Sequence, residues 1–146
     1  MNIELFQEAV KYYGVKEIPG KKHNPIIVEW TKRVFSWATD DEIAWCSTFL
    51  NAMAQDAGLV GSGKGNARSW LKVGTEVKEP VLGDVAIFWR VSPTDWRGHV
   101  AIFTGYSVDG KNLLVLGGNQ GNQVNISKYP ISRLLGFRRL EKAELI

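Results

Sequence analysis

Apolar residues recur at helical spacing through the first half of the chain and at strand-like spacing through the second. In "MNIELFQEAVKYYG", Phe6, Ala9, Val10 and Tyr13 share one helical face, and Gly14 supplies a stop. After the loop "VKEIPGKKH", Asn24 caps a second helix with Pro25 at its first position, and Ile27, Trp30 and Val34 form its stripe. A third helix begins near Cys46, carries Phe49, Leu50, Met53 and Ala57 on one face, and ends at Gly58. The glycine-rich "GLVGSGKGN" then leads into "ARSWLKVG", long enough for one or two helical turns.

From Thr75 the spacing changes. "GDVAIFW" (83–89) and "GHVAIFTGY" (98–106) are short β-type runs, Asp109-Gly110 is a hairpin signal, and "LLVLGGN" pairs back onto the strand before it. "QVNIS" and "LLGFRRL" add two more strands. Helices first and an antiparallel meander afterwards predict an α+β fold. The glycine-rich loop is too short to divide domains, so residues 1–146 are read as one domain.

Composition agrees with a folded protein, at 45% apolar and 23% charged residues. No apolar run approaches the ~18 residues of a membrane span, so no stable membrane insertion is expected. The N-terminus has early acidic residues and no basic leader, which reads as an amphipathic helix and not as a signal peptide. The net charge of +3 comes with Arg133, Arg138, Arg139 and Lys142 near the C-terminus. Without a phosphate loop or dense basic patch, that charge does not predict nucleic-acid binding. It suits loose attraction to an anionic polymer.

The chain has one cysteine, which cannot form an internal disulfide. Cys46 is either a small packed apolar residue or a nucleophile at a helix start, where the helix dipole and a nearby imidazolium would lower its pKa. Of the two histidines, His23 lies beside Lys21 and Lys22 in a loop, whereas His99 opens a strand. Gly98 and Ala101 are small enough to let the cysteine helix approach, so His99 is the better partner, against the plainer reading of a structural histidine. After the next strand comes "GGNQGN" (117–122), where an asparagine or glutamine oxygen would accept the imidazole Nδ1 proton, unless the segment is only a polar turn.

The order "AWCSTF", "ARSWL", "GDVAIF", "GHVAIFTG" and "VLGGNQ" resembles the CHAP and NlpC group of papain-like bacterial cell-wall hydrolases, in particular its single-domain phage or secreted-effector members. The resemblance implies a papain-like fold, N-terminal helices on an antiparallel sheet, and hydrolysis of a peptidoglycan amide. It assigns Cys46 as nucleophile, His99 as base and Asn119 as the residue that orients the ring. Many CHAP members carry a Glu-x-Asn pattern there; this chain has Gly117 at the glutamate position. No cofactor is required.

Glu17, Asp41, Trp45, Arg68, Trp70 and Gln120 are the substrate-binding expectations. Glu17 and Arg68 match recurrent family positions, though a plain ion pair or surface charge explains them equally. Trp45, Trp70, Trp89 and Trp96 would line a groove, or most would be core. Asp40, Asp41 and Glu42 favour a helix start through its dipole, or bind a stem-peptide amino group. Some CHAP relatives hold calcium in this region, but the sequence offers no full ligand set, and no metal is expected. Peptidoglycan is the expected partner, reached after phage lysis or by a specialised secretion route. For an effector, a cognate immunity protein would plug the cleft. Two other classes stay open: a catalytically silent peptidoglycan-binding module, and an intracellular cysteine peptidase or deamidase acting on proteins.

Overall fold

The computed structural model describes residues 1–19, 23–37 and 44–144. Three helices, α1 (Ile3–Val10), α2 (Pro25–Lys32) and α3 (Cys46–Asp56), precede a 3-10 helix (Ala67–Lys72). Six strands follow: β1 (Thr75–Val77), β2 (Val85–Trp89), β3 (Gly98–Tyr106), β4 (Asn112–Gly117), β5 (Asn125–Pro130) and β6 (Leu134–Arg139). They form one antiparallel sheet in the order β1-β6-β2-β3-β4-β5. This is the expected α+β, papain-like layering of helices on a sheet. The meander holds from β2 to β5, but β6 then returns across the sheet to lie between β1 and β2.

Asn24 caps α2 as expected, accepting the Ile26 amide at 2.9 Å with Pro25 at the first position. In α1 the buried residues are Leu5 and Ala9, whereas Val10 and Tyr13 are exposed. The helix is rotated from the expected stripe: Leu5 and Ala9 are its fully buried residues, and Phe6 packs against the core while only partly buried. Nine of the eleven residues of α3 are buried, Cys46 to Ala54 without a break. A helix apolar or tightly packed all round is a central one, and α3 sits against α1, α2, β3 and β4.

Two devices place the elements that flank α3. Residues 14–17 run beside 122–124, with Gly14 N–H donating to Val124 O at 2.8 Å and Glu17 N–H to Asn122 O at 3.0 Å. That pairing brings Glu17 under Trp45. The loop after α3 is pinned by buried polar groups: Ser47 Oγ donates to Lys64 O at 2.6 Å, and Asn51 Nδ2 to Lys64 O at 3.0 Å. Asn51 Oδ1 accepts the Gly63 amide at 2.8 Å. Such bonds fix one conformation because leaving any of these groups unpaired would be costly.

Candidate active site

The N-terminus of α3 points at the start of β3. Trp45 precedes the helix with no side-chain cap, and Cys46 occupies the first helical position. Cys46 packs among the buried residues that include Val100, which follows His99 in β3. The α3–β3 contact thus places Cys46 in one buried cluster with the residue next to His99. Thiol and imidazole are both nearly enclosed, with 8% of Cys46 and 3% of His99 accessible.

Burial governs their protonation. It pushes the Cys46 thiol up, while the Val100 amide, Arg90's charge and the two helix-start amides act the other way. Burial also pulls His99 down to about 4; the Gln120 hydrogen bond opposes this and Arg90's charge adds to it. Each group by itself thus favours its neutral form.

The partner of His99 corrects the sequence reading. Gln120 Oε1, not Asn119, lies 2.9 Å from the ring, and the nitrogen it meets is Nε2, not Nδ1. Gln120's orientation is fixed from behind. Its Nε2 donates to Val115 O at 3.2 Å, Asn125 O at 2.7 Å and Asn125 Oδ1 at 3.0 Å. Three acceptors on the amide nitrogen leave the amide oxygen for the imidazole, so His99 carries its proton on Nε2. Nδ1 is left as the basic nitrogen. The Tyr129 ring stacks on His99 at 4.5 Å and 5°, and Phe88 stacks on Tyr129 at 5.0 Å.

Alternation failed at 119–120 because β4 ends at Gly117. Asn119 takes a left-handed φ of 57°, a conformation asparagine tolerates. That turn sends Gln120 inward and leaves the Asn119 side in the cleft wall. Gly117, the departure from the family pattern, has a structural reason. A Cβ there would lie 2.7 Å from Gln120 Oε1 and 2.8 Å from Ala101 Cβ. The space of a side chain at 117 is thus used by Gln120. We expect Gly117→Ala to displace the clamped Gln120 amide and lower turnover by about tenfold or more, the scale of a 1 Å misplacement near the chemistry. Steady-state kinetics beside a melting curve would check this; unchanged turnover in a folded variant would contradict it.

Cys46 opens onto a cleft of ≈ 180 Å³ whose walls include Ala44, Asn66, Arg90, Trp96 and Asn119. A larger cleft of ≈ 530 Å³ near Lys64, Arg68 and Lys72 contains neither thiol nor imidazole. One cleft wall is the loop pinned by Ser47 and Asn51. The other is the β2–β3 loop, held by Arg68, whose Nη1 and Nη2 donate to Pro93 O at 2.9 Å and Ser92 O at 3.1 Å.

The substrate-binding expectations fare differently. Trp45 and Trp70 are fully buried and touch no substrate space. Trp45 Nε1 donates to Glu17 Oε1 at 2.8 Å, and Trp70 Nε1 to Ser47 Oγ at 2.8 Å. Both tryptophans and Glu17 therefore brace the start of α3. Arg68 braces a loop, and Gln120 serves the histidine. Trp96, 71% exposed, is the tryptophan that lines the cleft, while half-buried Trp89 lies under the Arg133 guanidinium at 4.9 Å. Asp41, with Asp40 and Glu42, lies outside the described residues. Arg90 was missed; its signal was a cation directly after β2, opening the loop that leads to His99.

A cysteine at the start of a central helix and a strand-borne histidine held by an amide, on helices layered over an antiparallel sheet, are features of the papain-like fold. Residues 38–119 match the CHAP domain model, and the chain belongs to that family, whose members are in general cysteine peptidases and amidases. The matched span ends one residue before Gln120. A solved structure from Staphylococcus aureus subsp. aureus Mu50, described as similar to a lipoprotein of the NLP/P60 family, shares the fold at a TM-score of 0.57 and 20% identity. The match covers 94% of this chain but 40% of that one, so the chain spans less than half of that protein. No curated protein matches.

The His99 environment has a consequence for stability. Its folded pKa of about 4 lies below the ordinary 6.5. Between these values the unfolded chain binds more protons, so stability falls as pH drops from about 6.5 to about 4. The loss attributable to His99 is about 3 kcal/mol. Denaturant melts at pH 7 and pH 4.5 should show this excess loss in the wild type relative to His99→Asn. Equal pH dependence in the two proteins would contradict the buried neutral imidazole.

Proposed function

We propose that this domain hydrolyses an amide bond in bacterial peptidoglycan, with Cys46 as nucleophile and His99 as base. The observation that carries the reading is the Gln120–His99 hydrogen bond, fixed by three acceptors, on the strand whose next residue, Val100, shares a buried cluster with Cys46. His99 Nδ1 takes the thiol proton as Sγ attacks the carbonyl carbon, and the imidazolium then protonates the leaving amine. Water, deprotonated by His99, releases the acyl group as a carboxylic acid and regenerates the thiol. Neither ion is favoured alone in this buried site, so proton transfer accompanies attack, and each charge stabilises the other. The Cys46 amide is the oxyanion donor from this helix start.

Family membership supports peptidoglycan as substrate, and the exposed Trp96 offers a face for sugar or peptide. The route to the wall, by phage lysis or specialised secretion, and a blocking immunity protein belong to the same proposal. The test is digestion of purified sacculi, with soluble products identified by mass spectrometry. New amine and carboxylate termini at one stem-peptide or muramoyl–peptide bond are expected. Intact sacculi would favour a silent binding module; cleavage or deamidation of proteins in their place would favour an intracellular peptidase or deamidase.

A further inference from the structure

We propose that Arg90 is a specificity-determining residue that pairs with a free carboxylate on the substrate residue adjoining the scissile amide. The inference deepens the hydrolase reading and rests on it.

Two described arginines line the Cys46 cleft, Arg90 and Arg97. Arg97 is already neutralised: Nε and Nη2 donate to the Asp95 carboxylate at 2.9 and 3.1 Å. A third guanidinium nearby, Arg68, is held by two loop carbonyls. Arg90 differs. It is exposed, and among the described residues its guanidinium has no acidic partner. Its backbone is anchored, with Arg90 O accepting from Arg133 Nη1 at 3.4 Å. None of the described residues lining the cleft is acidic. Among the described residues the cleft therefore presents one unmatched cation beside Cys46, complementary to an anion. A guanidinium suits a carboxylate, which it binds through paired N–H groups.

Arg90's charge reaches the reacting groups. It lowers the pKa of both Cys46 and His99. In the free protein it thus opposes the imidazolium that catalysis must form. A substrate carboxylate paired with Arg90 offsets that charge, removing its opposition to the imidazolium together with its support of the thiolate, so the contact acts on recognition. The substrate class is an amide with a free carboxylate on the neighbouring residue, as in a γ-linked glutamyl or a diamino-acid stem position. An amidated carboxylate would be a poor substrate.

The test uses the thiol itself, and so does not depend on the natural substrate. Iodoacetate and iodoacetamide transfer nearly the same group to sulfur, with loss of iodide, but only the first carries a carboxylate. The ratio of their second-order rates with Cys46 is measured in the full chain. Arg90→Gln should lower the iodoacetate-to-iodoacetamide ratio about threefold to fivefold, the scale of one exposed ion pair. Arg97→Gln should move it less than twofold. An unchanged ratio in Arg90→Gln, a larger effect from Arg97→Gln, or no alkylation by either reagent would overturn the proposal. A fall in the ratio alongside intact sacculi would uphold the carboxylate site and refute the peptidoglycan substrate.

Discussion

Cys46→Ala is expected to abolish release of fragments from sacculi while the domain stays folded. The thiol is the chain's one sulfur nucleophile, so no neighbour can replace it in a covalent route. Removing a triad member in comparable enzymes leaves only the residual rate due to binding and the oxyanion site. Folding should tolerate the change. The side chain is small, and α3 is held by its many other buried residues, from Ser47 to Ala54. Removing one buried sulfur costs about 1–2 kcal/mol by analogy with small core truncations. Fragment release, followed by reducing-end or amine assay, would be compared in wild type and variant, with melting curves as the folding control. Wild-type-like release by a folded Cys46→Ala would end the cysteine mechanism. A thiol-alkylating reagent should silence the wild type to the same extent, and excess chelator should not.

Much of this arrangement was legible in the sequence because its elements are locally encoded. Asn24-Pro25 announces α2 and the Asp109-Gly110 turn sets β3 against β4. Gly98 and Ala101, read as the approach for the cysteine helix, face Phe88, Ala67 and a second core cluster instead, and Val100 and Ile102 are the β3 residues in the α3 cluster. Gly98 is tighter than the pattern suggested: a Cβ there would meet Phe88 O at 2.6 Å. The errors arose where a residue's role depends on the chain around it. The alternation rule stops applying when a strand stops, and β4 stops at Gly117, so Asn119 and Gln120 exchanged roles in a left-handed turn. Similarly, tryptophan type cannot tell a groove wall from a brace. Trp45 and Trp70 lie inward because Glu17 and Ser47, distant in sequence, accept their indole N–H groups.

The last expected result concerns His99. Replacing it by alanine should lower the rate by about 10² to 10⁴, the usual worth of a positioned general base. The loss should exceed that of Gln120→Ala, because Gln120 acts through the ring. Without Gln120 Oε1, the Nε2 proton loses its acceptor in a buried site, and the ring can adopt the other tautomer or tilt within its stack against Tyr129. Gln120→Glu separates orientation from charge: a carboxylate there would accept the same Nε2 proton and raise the His99 pKa by attraction. The acid limb of the pH–rate profile should then shift upward in Gln120→Glu, whereas a merely structural role for residue 120 would leave the limb in place. His23→Ala serves as the control, since His23 is not among the residues lining the Cys46 cleft; it should change turnover by less than twofold. If His23→Ala proved more damaging than His99→Ala in folded protein, the base would be the other histidine, and the Gln120 clamp would lose its catalytic meaning.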